Sequence, residues 1–134
     1  MSVQAQILNL LNDIRERFGV GYLFISHDLA VVRHLADRVA VMYLGRIVEE
    51  ADTADLFRQP RHPYTEALLS AVPVPDPTRH AGRIMLPGDL PSPSAPPSGC
   101  PFHPRCPKAV ARCSTEVPAL RTMDDGARVA CHLV

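Results

Sequence analysis

From residue 2 to residue 18 the apolar side chains Val3, Ile7, Leu10, Leu11, Ile14 and Phe18 recur at steps of three and four, which lines them along one face of a helix. Gly19 and Gly21 then break the pattern and end the helix. Residues 22–26, Tyr-Leu-Phe-Ile-Ser, are large and mostly apolar without alternation, as expected for a strand covered on both faces in a mainly parallel sheet. Asp28 stands where a carboxylate caps a helix carrying Leu29, Val32, Leu35 and Ala36. Residues 39–43 and 46–50 are two further strand-like runs, and the Leu44-Gly45 pair between them has the length of a hairpin turn. Thr53 and Pro63 each mark the start of a short helix, the second ending before Pro73.

Proline divides the chain. All fourteen prolines fall between Pro60 and Pro118. Regular structure is therefore expected in residues 1–59, and turns and extended chain in residues 60–134. Beyond Pro73, the prolines at 75, 77, 87, 91, 93, 96 and 97 favour an extended path with one strand at residues 83–86. With 134 residues and 46% hydrophobic content the chain can build a core. The expected class is α/β, followed by a mostly irregular Pro- and Cys-rich extension. A lobe so poor in backbone hydrogen bonding needs a partner surface or a metal to hold one shape.

Charge and targeting signals narrow the setting. Fourteen basic and fourteen acidic side chains cancel, so the chain carries no electrostatic footprint for nucleic acid or an anionic membrane. No leader pattern and no membrane-spanning apolar run is present, which makes a cytosolic location the expectation. In that compartment Cys100, Cys106, Cys113 and Cys131 are expected as free thiols or metal ligands instead of disulfides.

His27 directly follows the expected strand, and ligands of open α/β sheets bind outside the carboxyl ends of strands. A lone histidine there is ordinarily a loop side chain satisfied by a nearby carbonyl. The residues around it change that reading. Phe24-Ile-Ser-His-Asp-Leu29, then Asp37-Arg-Val39 and Gly45-Arg-Ile-Val-Glu49, closely resemble the region around the switch histidine of ATP-binding cassette (ABC) transporter ATPases. The resemblance implies that residues 1–59 are the C-terminal portion of a P-loop NTPase sheet. It also implies that His27 contacts the terminal phosphate and helps hold the attacking water, the positioning that phosphoryl transfer requires. Asp28 reads as a helix cap instead of a catalytic base, and His34 as a solvated or packed side chain.

The opening Ser2-Val-Gln-Ala-Gln-Ile-Leu-Asn-Leu-Leu11 resembles the helix that follows the D-loop in the same family. The phosphate loop Gly-x-x-x-x-Gly-Lys-Ser/Thr, the Ser-Gly-Gly signature and the Asp-Glu pair that binds magnesium find no counterpart, and the only lysine is Lys108. The chain alone is therefore expected to be inactive as an ATPase, with ATP and Mg²⁺ bound only by the complete subunit. Met1 stands where the family commonly has valine, so an internal start codon or truncated gene is expected, and upstream DNA encoding an in-frame Ser-Ala-Leu-Asp would bear this out.

A second constellation narrows the family. Arg61-His-Pro-Tyr-Thr65, Pro87-Gly-Asp-Leu-Pro-Ser-Pro93 and Gly99-Cys-Pro-Phe-His-Pro-Arg-Cys106 resemble the C-terminal extension of oligopeptide and dipeptide importer ATPases. The resemblance implies a bacterial peptide importer, with nickel as the related alternative cargo. The implied partners are two membrane permeases, a second ATP-binding subunit and, indirectly, a substrate-binding protein, at the inner face of the membrane. The other class of function is a standalone, non-catalytic metal-binding or interaction module. Cys100, Cys106, Cys113 and Cys131 lack the close pair usual in structural zinc sites. Four thiolates suit an iron–sulfur cluster, and several members of the resembling family hold a [4Fe-4S] cluster at the corresponding cysteines. Zinc, with His103 or His132 as substitute ligands, and four unliganded buried thiols are the alternatives.

Overall fold

The protein is described by a computed structural model covering residues 3–72 and 82–134, and the expected extended path at Pro73, Pro75 and Pro77 lies outside the described residues. It forms two compact units, one up to Asp37 and one from Arg38 onward.

In the first unit, the periodic apolar run forms helix α1, Val3–Phe18. Gly19 ends it at φ +63°, a conformation in which a Cβ is strained, and donates its N–H to the Arg15 carbonyl at 2.9 Å. Helix α2, Leu29–Leu35, begins as expected at Asp28, whose Oδ1 accepts from the N–H groups of Ala30 and Val31 at 2.9 and 3.2 Å. An Arg15–Asp37 ion pair at 3.1 Å links the last turn of α1 to the residues just after α2.

Residues 22–26 correct the sequence expectation: they are not a strand. Leu23 and Ile25 are 94% and 90% exposed. A strand exists only where neighbouring backbone takes up its N–H and C=O groups, and among the described residues none pairs with this segment.

The second unit is built on the hairpin of β1, Arg38–Tyr43, and β2, Arg46–Asp52. Leu44 and Gly45 turn it with φ of +46° and +76°, both in the left-handed region that a two-residue hairpin matched to strand twist requires. Helices α3, Thr53–Arg58, and α4, Pro63–Ser70, start where the sequence indicates. A single 3₁₀ turn at His103–Arg105 and helix α5, Ala111–Thr115, follow. Two-residue strands β3, Arg121–Thr122, and β4, Arg128–Val129, complete an antiparallel sheet in the order β1-β2-β4-β3. The mixed helix and sheet content agrees with the expected class. The strand expected at residues 83–86 does not form; that segment is tied to α4 by one bond, from the Ile84 N–H to Ser70 Oγ at 3.0 Å.

A bulge decides what faces the core. Val41 pairs with Glu49 but Met42 pairs with Ile47, leaving Val48 as the extra residue. Strict alternation would send one of Val48 and Glu49 outward, yet both are buried. Leu56, Phe102 and Val129 close the same core at 1% exposure or less.

Candidate functional site

His27 lies in the first unit, exposed, within a tight turn. The Asp28 N–H donates to Ser26 Oγ at 2.9 Å, and the Asp28 carboxylate is engaged by the start of α2. This geometry leaves Asp28 as a cap, as the sequence indicates, and leaves the His27 ring clear of the turn's own hydrogen bonds. His34 is exposed on α2.

The second unit holds a polar site that sequence reasoning did not find. Glu49, fully buried by the bulge, accepts from the N–H of Arg61 at 2.8 Å through Oε1 and from the N–H of His62 at 2.9 Å through Oε2. These donors precede α4, so the carboxylate holds the chain where the helix begins and lies near the positive end of its dipole. His62 is itself the cap: its Nδ1 accepts from the Tyr64 N–H at 3.1 Å. That bond requires an unprotonated Nδ1, and burial lowers the histidine from 6.5 to about 4. The signals in the sequence were a glutamate directly after the apolar pair Ile47-Val48 and a histidine immediately before Pro63.

Phe102 joins this polar site to the cysteine loop. Its ring meets Tyr43 edge-on with centroids 5.3 Å apart, Tyr64 at 5.4 Å and His62 at 5.7 Å. Lys108 fixes the far side of the loop by binding both Glu66 oxygens, at 2.9 and 2.8 Å, which raises its ammonium above the ordinary lysine value. Arg61 pairs with Asp125, whose carboxyl is held below the usual range chiefly by that bond.

The four cysteines named by the sequence come together in this unit as free thiols, with Cys100, Cys113 and Cys131 buried and Cys106 partly so. Burial pushes the Cys100 thiol up, and Cys113, Cys131 and Cys106 add to the rise despite a backbone hydrogen bond at Phe102 that lowers it. Cys106 is likewise raised by burial and then by Cys131 and Cys113. The set is thus within mutual electrostatic range. Yet among the described residues no three His, Cys, Asp or Glu side chains converge as ligands of one metal ion. His103 Nδ1 lies 2.9 Å from the Cys100 carbonyl and His132 Nε2 lies 2.9 Å from the Glu116 carbonyl, so each has a backbone partner. A compact single-ion tetrahedron therefore does not fit the side chains as they stand.

Comparison with known proteins gives this arrangement a context. Residues 48–113 match the family described as "Oligopeptide/dipeptide transporter, C-terminal region". The chain is 62% identical over 133 residues to the "Probable peptide ABC transporter ATP-binding protein y4tS" of Sinorhizobium fredii, covering 99% of this chain and 38% of that protein. It is 54% identical over 134 residues to the "Di/tripeptide transport ATP-binding protein DppF" of Pseudomonas aeruginosa, covering 98% of this chain and 41% of that protein. The chain spans about two fifths of the length of these curated relatives.

Proposed function

We propose, from the premise that this chain belongs to the family of oligopeptide and dipeptide ABC transporter ATP-binding proteins, that it forms the C-terminal part of a subunit coupling ATP hydrolysis to peptide uptake. The observation that carries this reading is the near-complete coverage of the chain by peptide-transport relatives. The exposed apolar side chains of residues 22–25 support it, because a parallel sheet supplied by the rest of a P-loop NTPase would bury them. Within the complete subunit ATP and Mg²⁺ are bound by other residues, and His27 positions the terminal phosphate and the attacking water. Residues 1–59 derive from the ATPase domain and residues 60–134 from the importer-type extension. The partners are membrane permeases, a second ATP-binding subunit and, indirectly, a substrate-binding protein, with the subunit lying on the cytoplasmic face of the membrane. No helix among the described residues is long and apolar enough to cross a membrane.

For the cysteines, a [4Fe-4S] cluster is preferred to zinc because their spacing lacks the close pair usual in structural zinc sites and four thiolates suit such a cluster. Cys100, Cys106, Cys113 and Cys131 would hold it, and it would staple the proline-rich lobe. Anaerobically purified brown protein is the expected result, and colourless protein with stoichiometric zinc would reject it. A second reading, a standalone metal-binding or interaction module, draws on the self-contained core from Arg38 onward.

The test of transport uses the complete subunit assembled with its permeases. Substituting His27 by alanine should abolish ATP turnover and peptide uptake while leaving assembly intact, and the isolated 134-residue chain should hydrolyse no ATP. Undiminished uptake by the variant would remove the role given to His27, and uptake of nickel without peptide would replace the cargo.

A further inference from the structure

Two of the cysteines lie on backbone segments zipped together. The Cys100 N–H donates to the Cys113 carbonyl at 2.8 Å, and Ser98 Oγ donates to the Ser114 carbonyl at 2.8 Å. Between them Gly99 sits at φ +67°, and a Cβ there would lie 2.4 Å from the Cys113 carbonyl oxygen. Only glycine permits this approach, on both conformational and steric grounds. A 2.8 Å hydrogen bond, with the covalent path at each end, bounds the separation of the two Cα atoms at about 6.7 Å. That lies within the range a disulfide spans. Both thiols are free and buried, and Cys113 is the thiol that acts most strongly on Cys100.

We propose that Cys100 and Cys113 are a redox pair, closing to a disulfide when the chain without metal meets a low-molecular-weight disulfide such as oxidised glutathione. The thiolate of one cysteine attacks a sulfur of the oxidant and expels one small thiolate, leaving a mixed disulfide. The second cysteine attacks the protein sulfur of that bond and expels the other small thiolate. The two protein thiols lose two protons and two electrons in all, and the oxidant is reduced to two thiols. Sulfurs joined in this bond no longer serve as thiolate ligands, so the disulfide and the metal centre proposed above exclude one another. The pairing itself does not rest on that centre.

The experiment incubates the reduced, metal-free full chain anaerobically with oxidised glutathione, alkylates the remaining thiols and maps the products by mass spectrometry. The expected product links Cys100 to Cys113 with Cys106 and Cys131 alkylated, and Gly99→Ala loses this preference. A link through Cys106 or Cys131, a statistical mixture of pairs, or four alkylated cysteines would overturn the proposal. The double variant Cys106→Ser/Cys131→Ser guards against an unfolded starting state: its link should form at a lower ratio of oxidised to reduced glutathione in buffer than in urea, and equal ratios would also overturn the pairing. Metal content of the reduced chain, measured separately, reports on the cluster independently.

Discussion

Up to Asp37 the side chains of Ile7, Leu10, Phe18, Leu23 and Ile25 are exposed, whereas from Arg38 onward Val48, Leu56, Phe102 and Val129 are almost completely shielded. The first region is the richer in large apolar residues and carries none of the prolines, so apolar content alone does not give the second its closed core. What separates them is where the covering surface comes from. The second unit supplies its own: the hairpin, the start of α4 and the loop after Cys100 meet around Phe102. The first unit has strand chemistry without a strand's neighbours. Each large apolar side chain left in water forgoes about 1.5–3 kcal/mol of burial free energy. His27 thus depends on surfaces beyond its own segment, while the cysteine set sits in a lobe with a closed core.

The sharpest way to break this contrast is to remove a ring from each unit. Phe102→Ala deletes a fully buried ring and should cost about 3–5 kcal/mol, enough to melt the unit from Arg38 onward. Phe24→Ala, at a position 40% exposed, should cost well under half of that. Thermal unfolding of the two variants, followed by circular dichroism, measures the difference, and equal losses would erase the distinction between the units.

Acid sharpens the comparison less strongly. His62 has its proton affinity lowered from 6.5 to about 4 by burial. Between those values the unfolded chain takes the proton before the folded one, so stability falls as pH drops through this window and the loss levels off below about 4. The full effect is roughly 3 kcal/mol. Urea titrations across the window should show it in the wild-type chain and not in His62→Asn, whose side-chain oxygen can still cap α4. An identical slope in both would remove His62 as the origin.

The elements legible in the sequence are those set by neighbours along the chain. The three-and-four spacing of α1, the Asp28 cap, the Leu44-Gly45 turn and Pro63 at the start of α4 all act within a few residues. Residues 22–26 and 83–86 misled because an apolar run states a willingness to pair, and pairing needs partners elsewhere. The bulge that turns Glu49 inward had no local signal: it is fixed by register with β1, by pairing of Glu49 and Glu50 with β4, and by the Ala130 N–H donating to the Val48 carbonyl at 2.8 Å. Strands β3 and β4, two residues each, are too short to carry a period. Of the candidate site, the cysteines and His27 were legible as residue types in a familiar order. The Glu49–His62 arrangement was not, because it joins residues whose chemistry meets only after the hairpin has formed.

Amide hydrogen exchange along the whole chain, read by mass spectrometry at neutral pH, tests the contrast between the units in one measurement. Peptides covering Val48, Leu56, Phe102 and Val129 should exchange together and slowly, at a rate set by opening of the whole second unit. Peptides covering residues 20–27 should exchange at close to the free-chain rate. Protection of residues 20–27 equal to that of Val48 would contradict the reading that this segment lacks its strand partners.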